Sequence, residues 1–232
     1  MQKTFTQNTK ETFVAMFTHD LKGPINSGIM ALELLLNESK FGKLNQFQKQ
    51  LLTDVLSASR FMKNLTENAL CKYKEENGKF AINKEICPFK KLVEDCIFEM
   101  KYLIQDKNQI INFVSPKDEI FANVDMLEMR RAICNLISNA SKYSSKDSRI
   151  NVFLKLENNK IYFEVQDFGC GINLKHLDSV FDKYVRLANE QKSAGTGLGL
   201  YIARLIVDAH GGKIDIKSVI GKGTKIFFEI PV

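Results

Sequence analysis

The sequence predicts a long helical hairpin, completed as a four-helix bundle when two copies pair, followed by an α+β two-layer sandwich. Three observations carry this. Apolar residues recur at helical spacing from residue 5 to about residue 75. The period changes around Glu75-Glu76-Asn77-Gly78, beyond which short β-rich runs alternate with helical ones. A chain of 232 residues is also long for one minimal domain and comfortable for two small ones. The expected domains are residues 1–75 and 76–232.

In the first half, Phe13, Phe17, Leu21, Ile25, Leu32 and Leu36 keep close to the helical repeat. A second run, Phe47, Leu51, Val55, Ala58, Met62, Leu65, Ala69 and Tyr73, steps by three and four and traces a straight apolar seam. Glu38 to Lys43 between them reads as a turn. One hairpin cannot cover its own apolar faces, so a homodimer is expected. Packing of the hairpin on the C-terminal half of its own chain is the alternative.

In the second half, Lys79–Ile86 reads as a strand, and Pro88 suits the first turn of a helix reaching about Gln105. Gln109–Val114 reads as a strand, and Asp125 as the cap of a helix over Met126–Lys142. Ile150–Leu156 and Lys160–Gln166, joined by Glu157-Asn158-Asn159, form a predicted hairpin. A helix follows Gly199 to His210, and Lys213–Lys217 and Thr224–Ile230 close the chain as strands. Mixed strands and helices in this pattern make a two-layer sandwich.

Composition narrows the function. Hydrophobic residues at 44% and charged residues at 26% are ordinary for a soluble globular protein. The net charge of +6 is spread along the chain, which fits a solvated lysine-rich surface and no nucleic-acid partner. Five cysteines, without C-x-x-C spacing, point to reduced cytosolic thiols rather than disulfides or zinc. Cys134 and Cys170 are expected to pack as small apolar residues. No apolar run is long enough to span a bilayer, and the start, MQKTFTQNTKETF, has no signal core. The expected location is cytoplasmic, either alone or as the cytoplasmic part of a longer membrane-anchored protein.

Four segments carry chemistry. His19 lies in His19-Asp20-Leu21-Lys22-Gly23-Pro24. Pro24 lacks an N–H and crowds the carbonyl of Asp20, and Gly23 adds slack, so the helix loosens within a turn of His19. An exposed imidazole beside a carboxylate can act as a nucleophile, with the carboxylate orienting the ring and taking its proton; a surface histidine without chemistry is the alternative. Asn135, Asn139 and Lys142 share one helical face, opposite Ile133, Leu136, Ile137 and Ala140. Two carboxamides and an ammonium suit a Mg²⁺-bound polyphosphate, or else the amides hydrogen-bond a neighbouring loop. Asp167-Phe168-Gly169-Cys170-Gly171-Ile172 lets a ligand approach the backbone, with Asp167 able to accept from an exocyclic amine, or is a tight turn. Gly195-Thr196-Gly197-Leu198-Gly199-Leu200 precedes a helix and offers backbone N–H groups and a positive dipole end to phosphate. It lacks the Gly-Lys-Ser/Thr ending of a P-loop. The polar stretch Asp182–Ala194 before it suits a lid.

In this order the segments resemble those of the sensor histidine kinases. His19 to Pro24 looks like the family's phosphoacceptor box, and Asn135 to Tyr143 like its asparagine box. Asp167 to Gly171 and Gly195 to Leu200 look like its two glycine boxes. Phe181-Asp182-Lys183-Tyr184-Val185-Arg186 resembles its phenylalanine box, and Gly221-Lys222-Gly223-Thr224 the turn before its last strand. The resemblance implies a dimerisation and histidine-phosphotransfer hairpin, then an ATP-binding domain of the GHKL (Bergerat) type shared with gyrase, MutL and heat-shock protein 90. It implies autophosphorylation of His19 by ATP and transfer to an aspartate of a response regulator's receiver domain. By the same carry-over, Asp20 is the general base and Arg186 meets the γ-phosphate. Asn139 ligates Mg²⁺, with Asn135, Lys142 and Tyr143 around the phosphates. Asp167 reads the adenine amine, with Gly169, Gly171, Ile172 and Thr224 beside it. Gly195, Thr196, Gly197, Leu198, Gly199 and Leu200 cradle phosphates.

Two departures stand out. Gly23 occupies a position where the family usually has Thr or Asn, a residue linked to dephosphorylating the partner. No sensor domain precedes the hairpin and no receiver follows Val232, so either this is part of a larger protein or sensing comes from another chain. Rival readings are a serine kinase or ATPase chaperone on the same ATP-binding fold, and a dimeric scaffold without catalysis. The His19–Pro24 box argues against the first, and the Asp167, Asn139 and Gly195–Leu200 set against the second.

Overall fold

The structure, a computed structural model, describes residues 20–76, 78, 80–185 and 197–232. The chain divides into two compact units, Met1–Phe80 and Ala81–Val232.

The first unit contains helix α1 (20–35), a short helix α2 (Glu38–Phe41) where a turn was predicted, and the long helix α3 (Gln46–Glu76). A reciprocal pair starts α3. The Gln48 N–H donates to Asn45 Oδ1 at 2.8 Å, and the Asn45 N–H donates to Gln48 Oε1 at 3.0 Å. This capping box satisfies two amides that the helix itself cannot. Ion pairs Lys22–Glu67 (3.8 Å), Arg60–Glu33 (2.8 Å) and Lys49–Glu38 (3.2 Å) run in opposite order along the two strands of the hairpin, so it is antiparallel. Leu56 and Cys71 are buried, but the predicted seam is not: Phe47 is 77%, Leu51 54% and Met62 48% exposed. The seam therefore points away from the hairpin's own interior.

The second unit is the predicted sandwich. Its strands are β1 (Glu85–Pro88), β2 (Ile110–Val114), β3 (Phe121–Val124), β4 (Arg149–Glu157), β5 (Lys160–Asp167), β6 (Lys213–Val219) and β7 (Gly223–Pro231). Its helices are α4 (Phe89–Asp106), α5 (Met126–Tyr143) and α6 (Gly199–Ala209). A five-stranded sheet has the order β2-β4-β5-β7-β6, in which β2 and β4 are parallel and the remaining pairs antiparallel. Ile150, Val152, Leu154, Phe163, Val165, Ile226, Phe228 and Ile230 line its covered face. Against them pack Leu92 and Val93 of α4, Met129, Ile133, Leu136 and Ile137 of α5, and Ile202, Ile206 and Val207 of α6. The Phe163 and Phe228 rings meet at 5.1 Å. Each such side chain contributes roughly 1.5–3 kcal/mol on burial.

Local chemistry explains most boundaries. Asp125 caps α5, its Oδ1 accepting from Leu127 and Glu128 N–H groups at 3.1 Å. Asn158 and Asn159, both at positive φ, make the two-residue β4–β5 turn. The strand expected over Lys79–Ile86 is corrected: β1 starts at Glu85, because the Asn83 N–H donates at 2.8 Å to Asp125 Oδ2 rather than to a neighbouring strand. β1 pairs instead with β3, a four-residue strand the sequence reading lacks. Cys170 is exposed, so it does not pack as a small apolar residue, whereas Cys134 is half-buried beside Cys96.

Candidate active site

The site grows from α5. Its apolar stripe fixes the helix on the sheet, leaving Asn135, Asn139 and Lys142 half-buried on the other side. The first turn of α6 lies over this stripe. Asn135 Nδ2 donates to the Gly199 carbonyl at 3.3 Å, and a Cβ at Gly199 would stand 3.7 Å from Asn139 Nδ2. The carboxamides thus sit under the positive end of an 11-residue helix. At the C-terminal end of α5, Lys142 Nζ donates to the Tyr143 hydroxyl at 3.0 Å.

Asp167 closes β5 and is 6% exposed. Its Oδ1 accepts from the Gly169 N–H at 2.9 Å and the Thr224 N–H at 3.2 Å. Its Oδ2 takes no hydrogen bond among the described residues, leaving an acceptor on a largely buried side chain for a ligand. Burial pushes the Asp167 carboxyl above its ordinary range, and the two N–H donors pull partly back. Gly169 is required by a close approach: a Cβ there would come within 2.1 Å of the Tyr143 carbonyl oxygen. This contact sets the turn after β5 directly on the end of α5. Gly223, at φ +100°, is required on the other side, where a Cβ would lie 2.1 Å from the Asp167 carbonyl oxygen.

Ser218 ties the turn together. Its hydroxyl accepts from the Ile172 N–H at 2.8 Å, donates to the Gly223 carbonyl at 2.9 Å and meets Thr224 Oγ1 at 2.9 Å. The Gly221 N–H also reaches the Cys170 carbonyl at 2.8 Å. The segment Gly169–Ile172 is therefore pinned to the β6–β7 turn, with Gly171 against the Val219 carbonyl. Sequence reasoning missed Ser218, since one serine in a strand carries no local signal.

Of the other predicted residues, Leu198 is buried just before α6, Leu200 lies in its first turn, and the Gly197 carbonyl accepts from the Tyr184 N–H at 3.0 Å. Asp20 is exposed at the start of the described part of α1, and a Cβ at Gly23 would meet nothing within 4 Å. His19, Arg186, Gly195 and Thr196 lie outside the described residues, as does most of Asp182–Ala194. The site thus brings Asn135, Asn139 and Gly199 together at one end, and Asp167, Gly169, the Tyr143 backbone carbonyl, Ile172 and Thr224 at the other. Such an arrangement can hold a flat ring with an exocyclic amine at the Asp167 end and anionic oxygens at the α6 end.

Among the described residues, no helix is long and apolar enough to cross a membrane, and no three His, Cys, Asp or Glu side chains cluster to hold a metal. Residues 9–77 match the family described as His Kinase A (phospho-acceptor) domain. Residues 124–232 match the Histidine kinase-, DNA gyrase B-, and HSP90-like ATPase family. Over 229 residues the chain is 33% identical to the sensor protein kinase WalK of Staphylococcus aureus, covering 97% of this chain and 54% of that protein. For WalK of Staphylococcus aureus strain USA300 the identity is again 33%, over 37% of that protein. The chain therefore spans about half the length of these curated relatives, or less.

Solved structures share the fold. Full-length ShkA in complex with AMPPNP is 22% identical, with a TM-score of 0.66 over 94% of this chain and 45% of that one. The histidine kinase AdeS of Acinetobacter baumannii is 19% identical, with a TM-score of 0.61 over 92% of this chain and 97% of that one. The catalytic domain of the histidine kinase ThkA is 24% identical, with a TM-score of 0.59 over 65% and 96% of the respective chains. A phosphoacceptor region followed by an ATPase-type domain, on the sandwich described above, makes this chain a member of the sensor histidine kinase family of two-component systems, whose catalytic core it carries.

Proposed function

We propose that this chain phosphorylates its own His19 from MgATP and passes the phosphoryl group to an aspartate on the receiver domain of a response regulator. Residues 1–75 serve dimerisation and phosphotransfer, and residues 76–232 bind ATP. The observation that carries the reading is the pairing of an unbonded acceptor on a largely buried side chain, Asp167 Oδ2, at one end of α5 with the Asn135–Asn139 stripe under the N-terminus of α6 at the other.

In this reading Asp167 Oδ2 accepts from the adenine amine, and Gly169, Gly171, Ile172 and Thr224 shape that end. Asn139 fits a Mg²⁺ ligand: it is a neutral, half-buried oxygen donor next to a helix terminus, and Mg²⁺ takes hard oxygen ligands alongside phosphate and water. When bound, the ion would screen phosphate charge. Asn135, Lys142 and Tyr143 stand around the phosphates, and the backbone of residues 195–200 cradles them. Arg186 meets the γ-phosphate. At transfer, the outer ring nitrogen of His19 bonds to phosphorus as the bond to the departing ADP oxygen breaks, and Asp20 takes the ring proton. The receiver's carboxylate oxygen then bonds to phosphorus as the P–N bond breaks. The exposed seam of α3 supports a homodimer, since a second copy offers the same stripe across a two-fold axis.

Incubation with γ-labelled ATP tests the reading. The label should be lost in acid and kept in base, as a phosphoramidate is. His19→Ala should abolish labelling and leave ATP affinity within about twofold, because His19 contributes to transfer and not to the nucleotide pocket. Label retained by His19→Ala protein, or an acid-stable label, would overturn the mechanism.

A further inference from the structure

Two side chains outside the pocket grip the end of the helix that builds it. Lys107 follows α4 and Gln109 precedes β2. Lys107 Nζ donates to the Ser141 carbonyl at 2.8 Å and the Lys142 carbonyl at 3.1 Å. Gln109 Nε2 donates to the Ser141 carbonyl at 3.1 Å and the Ser145 carbonyl at 2.9 Å, and Gln109 Oε1 accepts from the Ser141 hydroxyl at 2.6 Å. Gln109 is 5% exposed and Ser141 fully buried. The Asp147 N–H adds a bond to the Lys107 carbonyl at 2.9 Å. The carbonyls gripped are those at the C-terminal end of α5, which the helix cannot satisfy and where its dipole is negative. Partial burial lowers the Lys107 pKa, so desolvation opposes its charge at this position.

This matters for Lys142. A lysine in the last turn of a helix ordinarily turns back onto the terminal carbonyls. Here the Lys107 ammonium already occupies the Ser141 and Lys142 carbonyls. Lys142 Nζ instead reaches the Tyr143 hydroxyl, on the helix face it shares with Asn139.

We propose that Lys107 and Gln109 are positioning residues for phosphate binding: by holding the C-terminal turn of α5, they keep Lys142 and Tyr143 directed at the polyphosphate. The proposal rests on the pocket reading given above. It predicts an effect confined to the phosphate end. Asp167 and the turn after it are bonded by Thr224 of β7 and Ser218 of β6, and by neither Lys107 nor Gln109.

The test is calorimetric titration of the full chain with MgATP and, separately, with adenosine. Wild-type protein should bind MgATP more tightly than adenosine. Lys107→Met should reduce the ratio of the two affinities about tenfold, through loss of charge-assisted hydrogen bonds to the helix end, with adenosine affinity unchanged. Gln109→Leu should act in the same direction, and Lys107→Arg, which keeps charge and donors, should retain most of the ratio. Each ratio is internal to one variant, so a lower folded fraction does not mimic the effect. Should Lys107→Met not fold, Lys107→Gln carries the same expectation, since it keeps an N–H donor without the charge. An unchanged ratio, or equal weakening of both ligands, overturns the positioning role and leaves Lys107 merely structural. If wild-type protein itself binds MgATP no better than adenosine, the pocket reading fails, and the positioning role falls with it.

Discussion

Asp167→Asn separates what this residue does for the fold from the ligand contact proposed for it. Both backbone donors, Gly169 N–H and Thr224 N–H, reach Oδ1, so the carboxamide oxygen of an asparagine can take over both bonds. The Nδ2 group then falls where Oδ2 was, and presents a donor to the adenine amine, itself a donor. A hydrogen bond to a charged group is worth about 1.5–3 kcal/mol, which is roughly 10- to 150-fold in affinity. The mismatch of two facing donors puts the expected loss of ATP affinity toward the upper end. Inosine triphosphate carries an acceptor where adenine carries its amine, so the variant should bind it better than wild-type protein does. Stability should move differently. The Asp167 carboxyl is raised by burial, so its ionised form costs stability in the folded state. A carboxyl with a raised pKa contributes stability below its unfolded range and loses that contribution as pH rises through the folded value. The neutral amide removes the cost, so Asp167→Asn should melt no lower than wild type at pH 7. Titration with both nucleotides and a thermal melt by circular dichroism give the answer. An unchanged ATP-over-inosine preference would place the base elsewhere, and a large fall in melting temperature would show that Asp167 is mainly structural.

His210 gives a pH prediction. Its Nε2 accepts from the Asp125 N–H at 2.9 Å while Nδ1–H donates to the Ile206 carbonyl at 2.7 Å, which demands a neutral ring, and burial lowers its pKa from 6.5. A base with a depressed pKa contributes stability that is complete above its unfolded value and fades as pH falls below it. Lys84 and Glu128 also face this ring, with Asp125. The melting temperature should therefore drop between pH 7 and pH 5, and His210→Gln should flatten that slope; an equal slope in the variant would assign it to other groups. For assembly, light scattering at micromolar concentration should report twice the 26.5 kDa chain mass. Leu51→Lys with Met62→Lys should give monomers, because each exposed seam residue counts twice across a two-fold axis, roughly 3–6 kcal/mol per substitution. A monomeric wild type would return the hairpin to packing on its own chain.

The parts legible in the sequence are those whose cause is local. Asp125 capped its helix as predicted because the cap bonds reach only two and three residues ahead. Asn158 and Asn159 formed the hairpin turn because both tolerate positive φ. The Asn135, Asn139 and Lys142 stripe followed from helical spacing alone. Failures have the opposite character. β3 is only four residues long, and its pairing with β1 depends on a strand more than thirty positions earlier in the chain. β1 itself was read too early because the Asn83 N–H goes to a carboxylate 42 residues away.

The same distinction explains why the motifs of the site were readable and its supports were not. A residue that touches the ligand must sit where its chemistry is needed, and glycine, asparagine and aspartate at fixed offsets leave a pattern. A residue that holds those motifs in place needs only to reach a backbone carbonyl or amide, and backbone is the same everywhere. Ser218 acts on an amide 46 residues away, Gln109 on carbonyls 32 to 36 residues away, and Lys107 on carbonyls 34 and 35 residues away. Nothing in their neighbourhoods marks them. Yet one glycine that does show in the sequence depends on where α5 ends. Gly169 is forced to be glycine only because α5 ends where it does, with the Tyr143 carbonyl 2.1 Å from the position of a Cβ. That end is fixed by Lys107 and Gln109. A visible motif residue is thus the consequence of support that the sequence does not display. It follows that Lys107→Met, which frees the Ser141 and Lys142 carbonyls, should spare adenosine, whereas Gly169→Ala, which drives the Tyr143 carbonyl and the turn after Asp167 apart, should weaken adenosine and MgATP together. Equal loss of adenosine affinity in the two variants would show that the α5 terminus and the glycine turn move as one.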